Sequence, residues 1–437
     1  MGGNTHRVSS VGSGVRLVMR PHAFLGVFAA VMLVAVAGAW APGPGAAQGP
    51  PATGAPVPVS VTGGPATLDT LRLAITTAAR VALGVQASAV VALAQTRPAL
   101  VPLDAASVET VLADLTVTAP GLPPASYAVR MALTNAVIPW NDAETLLVSN
   151  SPETVPVGKV LYMGALSASQ TVRLLFHHQN GSKSQNMLIT VTASNPTHDP
   201  ITAWIQGAAD ASAQDEMTPG HNAARAFLDE YAHHAGFLVR LPANTTVPLV
   251  VDDLTPLGIV SGIVQLSLVD GARLNVDVIA RLASEADPPM MSYAPDFDQV
   301  HQRGAFARPQ IGRAAAYTVG GPPAIMVLAA DADLLKEGQT GELLQGNYGV
   351  IYSFNVDVAN PTPQPAAATL VMHADGGPAR GTFVIRDRIA ESPLVQPNAP
   401  QVVATFRLGP QTRRLIRVVT LPESGSNYPV RLTLGAP

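Results

Sequence analysis

Apolar and polar residues alternate along much of the chain, and two of the alternating stretches share one sequence pattern. In Gly181 to Trp204, an apolar residue at every second position leads to Asn195-Pro-Thr. A shift of 165 positions places this stretch on Gly346 to Thr369, where a second apolar row leads to Asn360-Pro-Thr. Six of the thirteen positions from Val191 to Ala203 are identical. Period-two alternation is typical of a half-buried strand, and proline cannot continue its ladder, so each stretch is predicted to be a strand closed by a turn.

The repeat continues downstream and predicts the fold class. Arg240-Leu241 matches Arg407-Leu408, and the stretch from Val264 to Leu268 matches Val430 to Leu434. Each copy holds several short alternating stretches separated by turn residues, which is typical of two antiparallel sheets packed face to face. We predict a mostly β protein with tandem antiparallel immunoglobulin-like β-sandwich domains over 151–283 and 325–437, joined by a linker over 284–324.

The first copy contains a stretch with helical periodicity that the second copy lacks. Thr218 can cap a helix, Pro219 suits its first position, and Gly236 suits the position just past its end. We therefore predict one amphipathic helix over 219–235, within the middle domain. The second copy has a loop and a strand in its place. The apolar stripe of the helix comprises Ala224, Phe227, Leu228, Tyr231 and Ala235.

The N-terminal part of the chain has weaker periodicity. Leu71, Leu73 and Ile75 alternate with other residues, and we predict strands here as part of a diverged β-domain over 59–150. The stretch from Ala78 to Gln95 is rich enough in alanine to be partly helical. Residues 48–58 are rich in proline and glycine, which predicts an extended linker in front of this domain.

The N-terminal segment predicts export. An uncharged apolar run of 19 residues, from Ala23 to Ala41, follows Arg16 and Arg20. This order is typical of a signal peptide, predicted here over 1–47 with cleavage before Gln48. The run is also long enough for an uncleaved membrane anchor, which is the alternative. Met19 is a second candidate start. We expect a secreted or cell-surface protein.

Composition and motifs exclude several classes of function. Charged residues make up 13% of the chain and the net charge is −4, which gives no basic surface for nucleic acid. The absence of cysteine excludes disulfides, thiolate zinc sites and thiol nucleophiles. The sequence has no Gly-x-Ser-x-Gly elbow, His-Glu-x-x-His motif, phosphate loop or dinucleotide fingerprint. We predict no enzyme, with a hydrolase as the third hypothesis.

Histidines around the predicted helix are the candidates for metal chemistry. Glu230 precedes His233 by three residues, a Glu-x-x-His spacing used in carboxylate-bridged metal sites. Imidazole and carboxylate together suit zinc or another divalent ion. The candidate ligands are Glu230, His234, His198 and His178. The competing interpretation is a solvated helix face with weak i,i+4 pairs, which needs no metal.

Three further motifs have alternative interpretations. Asp296-Phe-Asp298 and Asp331-Ala-Asp333 could offer oxygen ligands to calcium, although neither continues into an EF-hand loop. Leu421-Pro-Glu-Ser-Gly425 resembles a sortase sorting signal but lacks the apolar segment and basic tail that should follow. A local group of arginines predicts either a solvated strand face or a contact with an anionic envelope polymer. These are Arg413, Arg414, Arg417 and Arg431.

The pattern as a whole resembles the architecture of bacterial surface proteins built from immunoglobulin-like modules. We expect an exported, non-catalytic envelope protein with a structural or adhesive role and no cofactor. Its expected partners are other envelope proteins or a cell-wall polymer, with membrane contact only through an uncleaved N-terminal segment. The alternative is a metal- or glycan-binding module centred on the predicted helix. Aromatic residues make up only 5% of the chain, too few for an extended sugar-stacking row.

Overall fold

The computed structural model describes residues 55–85, 89–119, 121–282, 298 and 300–437. The predicted signal peptide over 1–47 and most of the predicted linker over 48–58 lie outside these residues. The described residues belong to one unit, Gln48–Pro437. They contain twenty-four strands and two α-helices, so the chain is mostly β, as predicted. Among the helices of this described part, none is long and apolar enough to cross a membrane.

The elements fall into three consecutive regions. The N-terminal region contains β1 (Val57–Thr62), α1 (Leu68–Leu83), β2 (Val90–Arg97), β3 (Val108–Thr118), β4 (Ala125–Asn135) and β5 (Thr145–Ser149). The first copy contains β6 (Thr154–Val155), β7 (Lys159–Ser167), β8 (Thr171–Asn180), β9 (Met187–Asn195), β10 (Ile201–Ala213), α2 (Met217–His233), β11 (Gly236–Leu241), β12 (Thr245–Leu254), β13 (Ile259–Asp270) and β14 (Arg273–Leu282). The last region contains β15 (Arg303–Ala307), β16 (Gln310–Thr318), β17 (Ala324–Leu328), β18 (Ile351–Asn360), β19 (Ala366–Ala374), β20 (Thr382–Ile385), β21 (Arg388–Glu391), β22 (Gln401–Leu408), β23 (Thr412–Thr420) and β24 (Val430–Gly435).

The strands form four sheets. Sheet 1 has eleven strands in the order β15-β5-β8-β13-β10-β11-β1-β4-β3-β2, with β6 beside β8. Sheet 2 is β12-β9-β14-β7, sheet 3 is β16-β18-β23-β20-β21, and sheet 4 is β17-β24-β19-β22. Strands β1 to β4 of the N-terminal region therefore extend sheet 1, because β1 pairs with β11 of the first copy.

The predicted strand around Leu71 is wrong, because this stretch forms α1. Leu71 and Ile75 are four residues apart and therefore lie on one face of the helix, where both are buried. The N-cap Thr67 accepts a hydrogen bond from the backbone N–H of Thr70, and Gly84 ends the helix in the left-handed conformation. Alternating apolar residues fit the face of a short helix as well as a strand, and the two caps favour the helix here.

The two copies share a strand order. The run β8-β13-β10-β11 in sheet 1 has the same order as β17-β24-β19-β22 in sheet 4. The antiparallel pair β9–β12 recurs as β18–β23, with Thr245 opposite Asn195 in one and Thr412 opposite Asn360 in the other. The copies differ beside this pair. In sheet 2, β14 separates β9 from β7, whereas in sheet 3 β16 pairs directly with β18.

The Asn-Pro-Thr segments form matching corners. Asn195 Nδ2 donates to the carbonyls of Asp199, Leu241 and Pro242 at 2.9 to 3.1 Å, and its Oδ1 accepts from Thr197 N and Oγ1. In the second copy, Asn360 Nδ2 donates to the carbonyls of Gln364 and Gly409, both at 2.8 Å. Its Oδ1 accepts from N and Oγ1 of Thr362, as in the first corner. Both asparagines are buried, and each ties the end of its strand to the following turn.

The two predicted half-buried strands differ in exposure. β18 alternates between buried and partly exposed residues, but β9 is buried at nearly every position. On β9, Thr190 lies between its cross-strand partners Val251 and Ile279. Thr190 and Thr192 are both 2% exposed on this inner strand, so even the polar face of β9 is shielded from water.

Candidate functional site around the second helix

The helix α2 belongs to the first copy and also packs against the second copy. It contacts β10 and β13 of sheet 1 and also β20 and β21 of sheet 3. Its buried apolar residues Ala224, Phe227, Leu228 and Tyr231 belong to the same core cluster as the buried side chains of sheets 3 and 4. The apolar stripe therefore helps to join the copies.

The helix begins and ends two residues earlier than predicted. At its start the backbone N–H of Thr218 donates to Asp215 Oδ1, at 2.9 Å, so the carboxylate of Asp215 takes the capping role predicted for the Thr218 side chain. At its end His234 adopts the left-handed conformation, with φ 51°, and its N–H bonds to the last helical carbonyls. The predicted C-terminal glycine, Gly236, begins β11 instead.

The four predicted metal ligands lie in different environments. His178 is buried on β8, where Nδ1 lies 2.9 Å from the Pro152 carbonyl and Nε2 lies 3.0 Å from Ser149 Oγ. Burial lowers the pKa of His178 to about 3. His198 is exposed in the first Asn-Pro-Thr corner, and His234 is exposed at the end of α2. Within the described residues, no group of three or more His, Asp or Glu side chains could hold a metal ion.

Glu230 joins the two helices. Its Oε1 accepts a hydrogen bond from Thr70 Oγ1 on α1, and its Oε2 accepts from the backbone N–H of Gly207 on β10, both at 3.0 Å. The side chain is buried, and burial raises its pKa well above the usual value. Both carboxylate oxygens are thus engaged by protein donors.

Two of the aspartates considered for calcium, Asp298 and Asp333, have protein partners. Asp333 forms an ion pair with Arg313. Asp298 accepts hydrogen bonds from Ser151 Oγ and from the backbone N–H of Glu153, Val300 and His301. Asp296 lies outside the described residues.

A chain of ionisable groups links α2 to the second copy. His221 Nδ1 lies 2.9 Å from Glu423 Oε2, and His221 Nε2 lies 3.1 Å from Glu391 Oε2. Glu391 Oε1 accepts from Arg225 Nε at 2.7 Å. Burial alone would lower the pKa of His221, but the hydrogen bonds and charges of Glu423 and Glu391 outweigh it and raise that pKa. The protonated imidazole is therefore the form that this interface favours.

Two glycines let the backbones of the copies approach each other beside this chain of charges. A Cβ atom at Gly220, in α2, would overlap the carbonyl oxygen of Ser424. A Cβ atom at Gly425, where φ is +78°, would overlap the carbonyl of Glu216. The Leu421–Gly425 segment, which resembles a sorting signal in sequence, thus lies against the start of α2, with Leu421 and Glu423 buried.

A buried arginine makes a third contact between the copies. Arg173, on β8, is 0% exposed. Its Nη1 donates to the Gly349 carbonyl and its Nη2 to Gln265 Oε1, both at 3.0 Å, and its guanidinium carbon lies 5.4 Å from the Phe227 ring centroid. Burial lowers the pKa of Arg173 to about 10, which still leaves it charged at neutral pH. Neutral oxygens and an aromatic face stabilise this charge.

At the C-terminal end of α2 a groove opens between the copies, with a cavity volume of about 320 Å³. The His234 ring stacks on Trp140 with centroids 4.4 Å apart, and Tyr231 meets Trp140 edge to face. Tyr231 Oη donates to Asp142 Oδ1 at 2.7 Å. The second copy contributes the charged residues Arg386, Asp387 and Arg417 to the lining. We call this the aromatic groove.

Sequence reasoning missed most of this interface because the partners are far apart in the chain. His221 and Glu423 are separated by 202 residues, and Arg173 and Gly349 by 176. One signal was available, since Gly220 is an unusual residue in the first turn of a helix. A glycine there indicates that another backbone comes close.

Comparisons with known proteins give no assignment. No protein family matches the chain, and no curated protein matches it. Among solved structures, the crystal structure of tripeptidyl peptidase 2 aligns with 79% of this chain at 7% identity and a TM-score of 0.18, and the chain spans 29% of that protein. The tandem CBM22-1–CBM22-2 domains of Paenibacillus barcinonensis Xyn10C align with 65% of the chain and 91% of their own length, at 10% identity and a TM-score of 0.15. Such TM-scores carry no argument about this fold or its activity.

Proposed function

We propose that the protein is an exported, non-catalytic envelope protein in which two tandem immunoglobulin-like modules form one rigid body with a structural or adhesive role. The observation that carries the proposal is the backbone contact of Gly220 with Ser424 and of Gly425 with Glu216. Contacts of this kind leave no room for side chains and therefore fix one relative position of the two copies. A fixed body suits a protein that must hold or present a surface.

Export and attachment are tested in the native host. We expect the mature protein to begin near Gln48 and to co-purify with washed cell envelopes. A matched sample carrying a truncation of residues 1–47 should stay inside the cell. Protein that keeps Met1 or Met19 and remains in the cytosol would contradict the export proposal, whereas protein that keeps its N-terminus but sediments with membranes would indicate an anchor.

Rigidity is tested separately by small-angle X-ray scattering on the mature chain. We expect one compact shape whose radius of gyration does not change with salt concentration, because the interface between the copies is largely buried. A broad distribution of shapes would contradict a fixed body. The proposal includes no bound metal, so a chelator, zinc or calcium should leave the melting temperature unchanged.

A second candidate function is glycan binding in the aromatic groove. Trp140 and the stacked His234 offer an aromatic platform, and Arg386 and Arg417 line the same groove. Sugars stack on such rings, and guanidinium groups bind carboxylate or phosphate, so the favoured ligand is an anionic sugar polymer of the envelope.

The glycan proposal is tested by titrating purified envelope polysaccharides into the wild type and into variants. We expect Trp140→Ala and Arg417→Gln to abolish binding, whereas Arg414→Gln, which changes the same strand β23 outside the groove, should retain it. Equal binding by all three variants would place the ligand elsewhere and end this proposal.

A further inference from the structure

A second cavity opens between the copies, on the side of the interface where α2 begins. Its volume is about 400 Å³, and it is lined by residues from the ends of β5 and β8, from the start of α2 and from two loops of the second copy. Of its lining residues within the described chain, none is Lys or Arg. The ionisable and aromatic residues that line it are Glu153, His177, Glu216, His301, Tyr348 and Tyr428. We call it the acid cleft.

Carboxylates outnumber cations in the acid cleft. His301 is the group between two of them, with Nδ1 2.7 Å from Asp298 Oδ2 and Nε2 2.9 Å from Glu153 Oε2. Glu216 is a further carboxylate in the lining, and it is exposed. Burial, followed by the charges of Glu216 and Asp298, raises the pKa of Glu153 against the opposing effect of His301. His301 thus lies between Glu153 and Asp298, and Glu216 adds a further acidic side chain to the lining.

His177 supplies an independent indication of a ligand. Its side chain lines the cleft and is 5% exposed, and its Nδ1 atom is buried with no hydrogen-bond partner. Burial, together with the charge of His301, lowers the pKa of His177 to about 4, so the ring is neutral at pH 7. When the proton of a neutral imidazole is on Nε2, Nδ1 is an acceptor. This atom can therefore receive a hydrogen bond from a donor inside the cleft.

The aromatic lining adds to the preference for a cation. Tyr348 and Tyr428 lie edge to face with centroids 5.7 Å apart. Their hydroxyls are already engaged, Tyr348 with the Ser426 carbonyl and Tyr428 with the Glu423 backbone N–H. What these residues offer a ligand is therefore ring surface, to which ammonium and guanidinium groups are attracted.

We propose that the acid cleft binds an organic cation, an alkylammonium or a guanidinium group, whose charge pairs with Glu153 and Glu216 and whose N–H donates to His177 Nδ1. The cavity is much larger than a single ion, and the described residues offer no set of three metal ligands here. The group is either part of a free amine or the side chain of a lysine or arginine on a partner protein.

The test is calorimetric titration of the full mature chain with four probes. Cadaverine and agmatine represent free cations, and the capped tripeptides acetyl-Gly-Lys-Gly-amide and acetyl-Gly-Arg-Gly-amide represent side chains. Pentanol is the uncharged control. We expect at least one cationic probe to bind at least tenfold more tightly than pentanol. Binding of peptides alone indicates a partner protein, and binding of free amines indicates a small molecule.

Variants assign the binding to the cleft. Glu216→Gln removes a charge from an exposed side chain that makes no capping bond, so the fold should be retained while affinity falls about tenfold. His177→Phe removes the acceptor and should lower affinity by a similar factor. Glu109→Gln, on β3 in the N-terminal region, is the matched control and should bind as the wild type does. The proposal is overturned if no cationic probe exceeds pentanol, or if folded Glu216→Gln and His177→Phe both bind as the wild type does.

Discussion

The two Asn-Pro-Thr corners resemble each other, whereas the two segments that follow them have different structures. The corners keep nearly the same hydrogen bonds around Asn195 and Asn360, which donate to three and two backbone carbonyls respectively. The later segments are of similar length, yet one forms α2 and the other forms the hairpin β20–β21. These two unlike segments pack against each other, since α2 contacts both strands of the hairpin. The copies thus differ where they contact each other and are alike at the corners, where the chain passes from one sheet to another.

We expect the largest loss of folding stability at the contact between α2 and the second copy. Gly220→Ala places a methyl group on the Ser424 carbonyl, and we expect the free energy of unfolding to fall by about 3 kcal/mol because a backbone must shift. Helix propensity alone would predict a gain of about 1 kcal/mol for this change. Gly312→Ala, where a Cβ meets no atom within 4 Å, is the control. Urea unfolding shows whether Gly220→Ala lowers or raises the free energy of unfolding.

The corners should respond almost equally. Asn195→Ala removes five side-chain hydrogen bonds, and Asn360→Ala removes four. We expect losses of about 3 and about 2 kcal/mol respectively, since each variant also leaves the backbone N–H of Thr197 or Thr362 without its acceptor. His198→Ala, an exposed change in the first corner, should cost almost nothing. A large loss of unfolding free energy at only one corner would show that the two asparagines do not stabilise their copies in the same way.

The interface should also give the protein a pH dependence that the corners lack. The folded state raises the pKa of His221 above its usual value of 6.5. A raised pKa contributes stability that is complete below the unfolded value and is lost as pH rises through the folded value. We therefore expect the difference in melting temperature between wild type and His221→Gln to shrink as pH rises from neutral to alkaline. A difference that is constant with pH would mean that His221 does not titrate with folding.

We expect the smallest loss of folding stability at the solvent-exposed edge of the interface between the copies. Arg225 pairs with Glu391, but their side chains are 54% and 39% exposed. Exposed ion pairs contribute about 0.2 to 1 kcal/mol, so Arg225→Gln should lower the free energy of unfolding by less than about 1 kcal/mol. Arg72→Gln, which breaks the exposed pair with Asp69 on α1, should cost a similar amount. A loss of several kcal/mol at Arg225 would mean that the charge chain acts as one unit.

The sequence was informative wherever a few neighbouring residues determine the structure. The alternating rows before Asn195 and Asn360 predicted strands, and strands are found there. Each corner contains a local part, in which the asparagine Oδ1 accepts from the threonine two positions later, and a long-range part, in which Nδ2 donates to the end of a distant strand. The apolar stripe of α2 was also readable, because helical periodicity is a local property.

The features that could not be predicted from the sequence depend on packing between residues far apart in the chain. The burial of Glu230 depends on Thr70, which is 160 residues away, and no local pattern distinguishes it from an exposed helix residue. His178 was predicted as a candidate metal ligand. It is buried, as is its neighbour His177, because β8 has neighbours in sheet 1 and further layers on its two faces. The acid cleft could not be predicted, since its walls come from both copies.

The position of β1 has a consequence for how the chain folds as it emerges from a ribosome or a translocation channel. β1 lies between β4 and β11, and Thr62 faces Gly236 across the second of these pairings. This first strand must therefore wait, with one edge unpaired, until more than a third of the chain has followed it. Such late, non-local pairing slows folding and exposes a strand edge to aggregation. A chaperone that shields the early chain should accordingly raise the yield of folded protein.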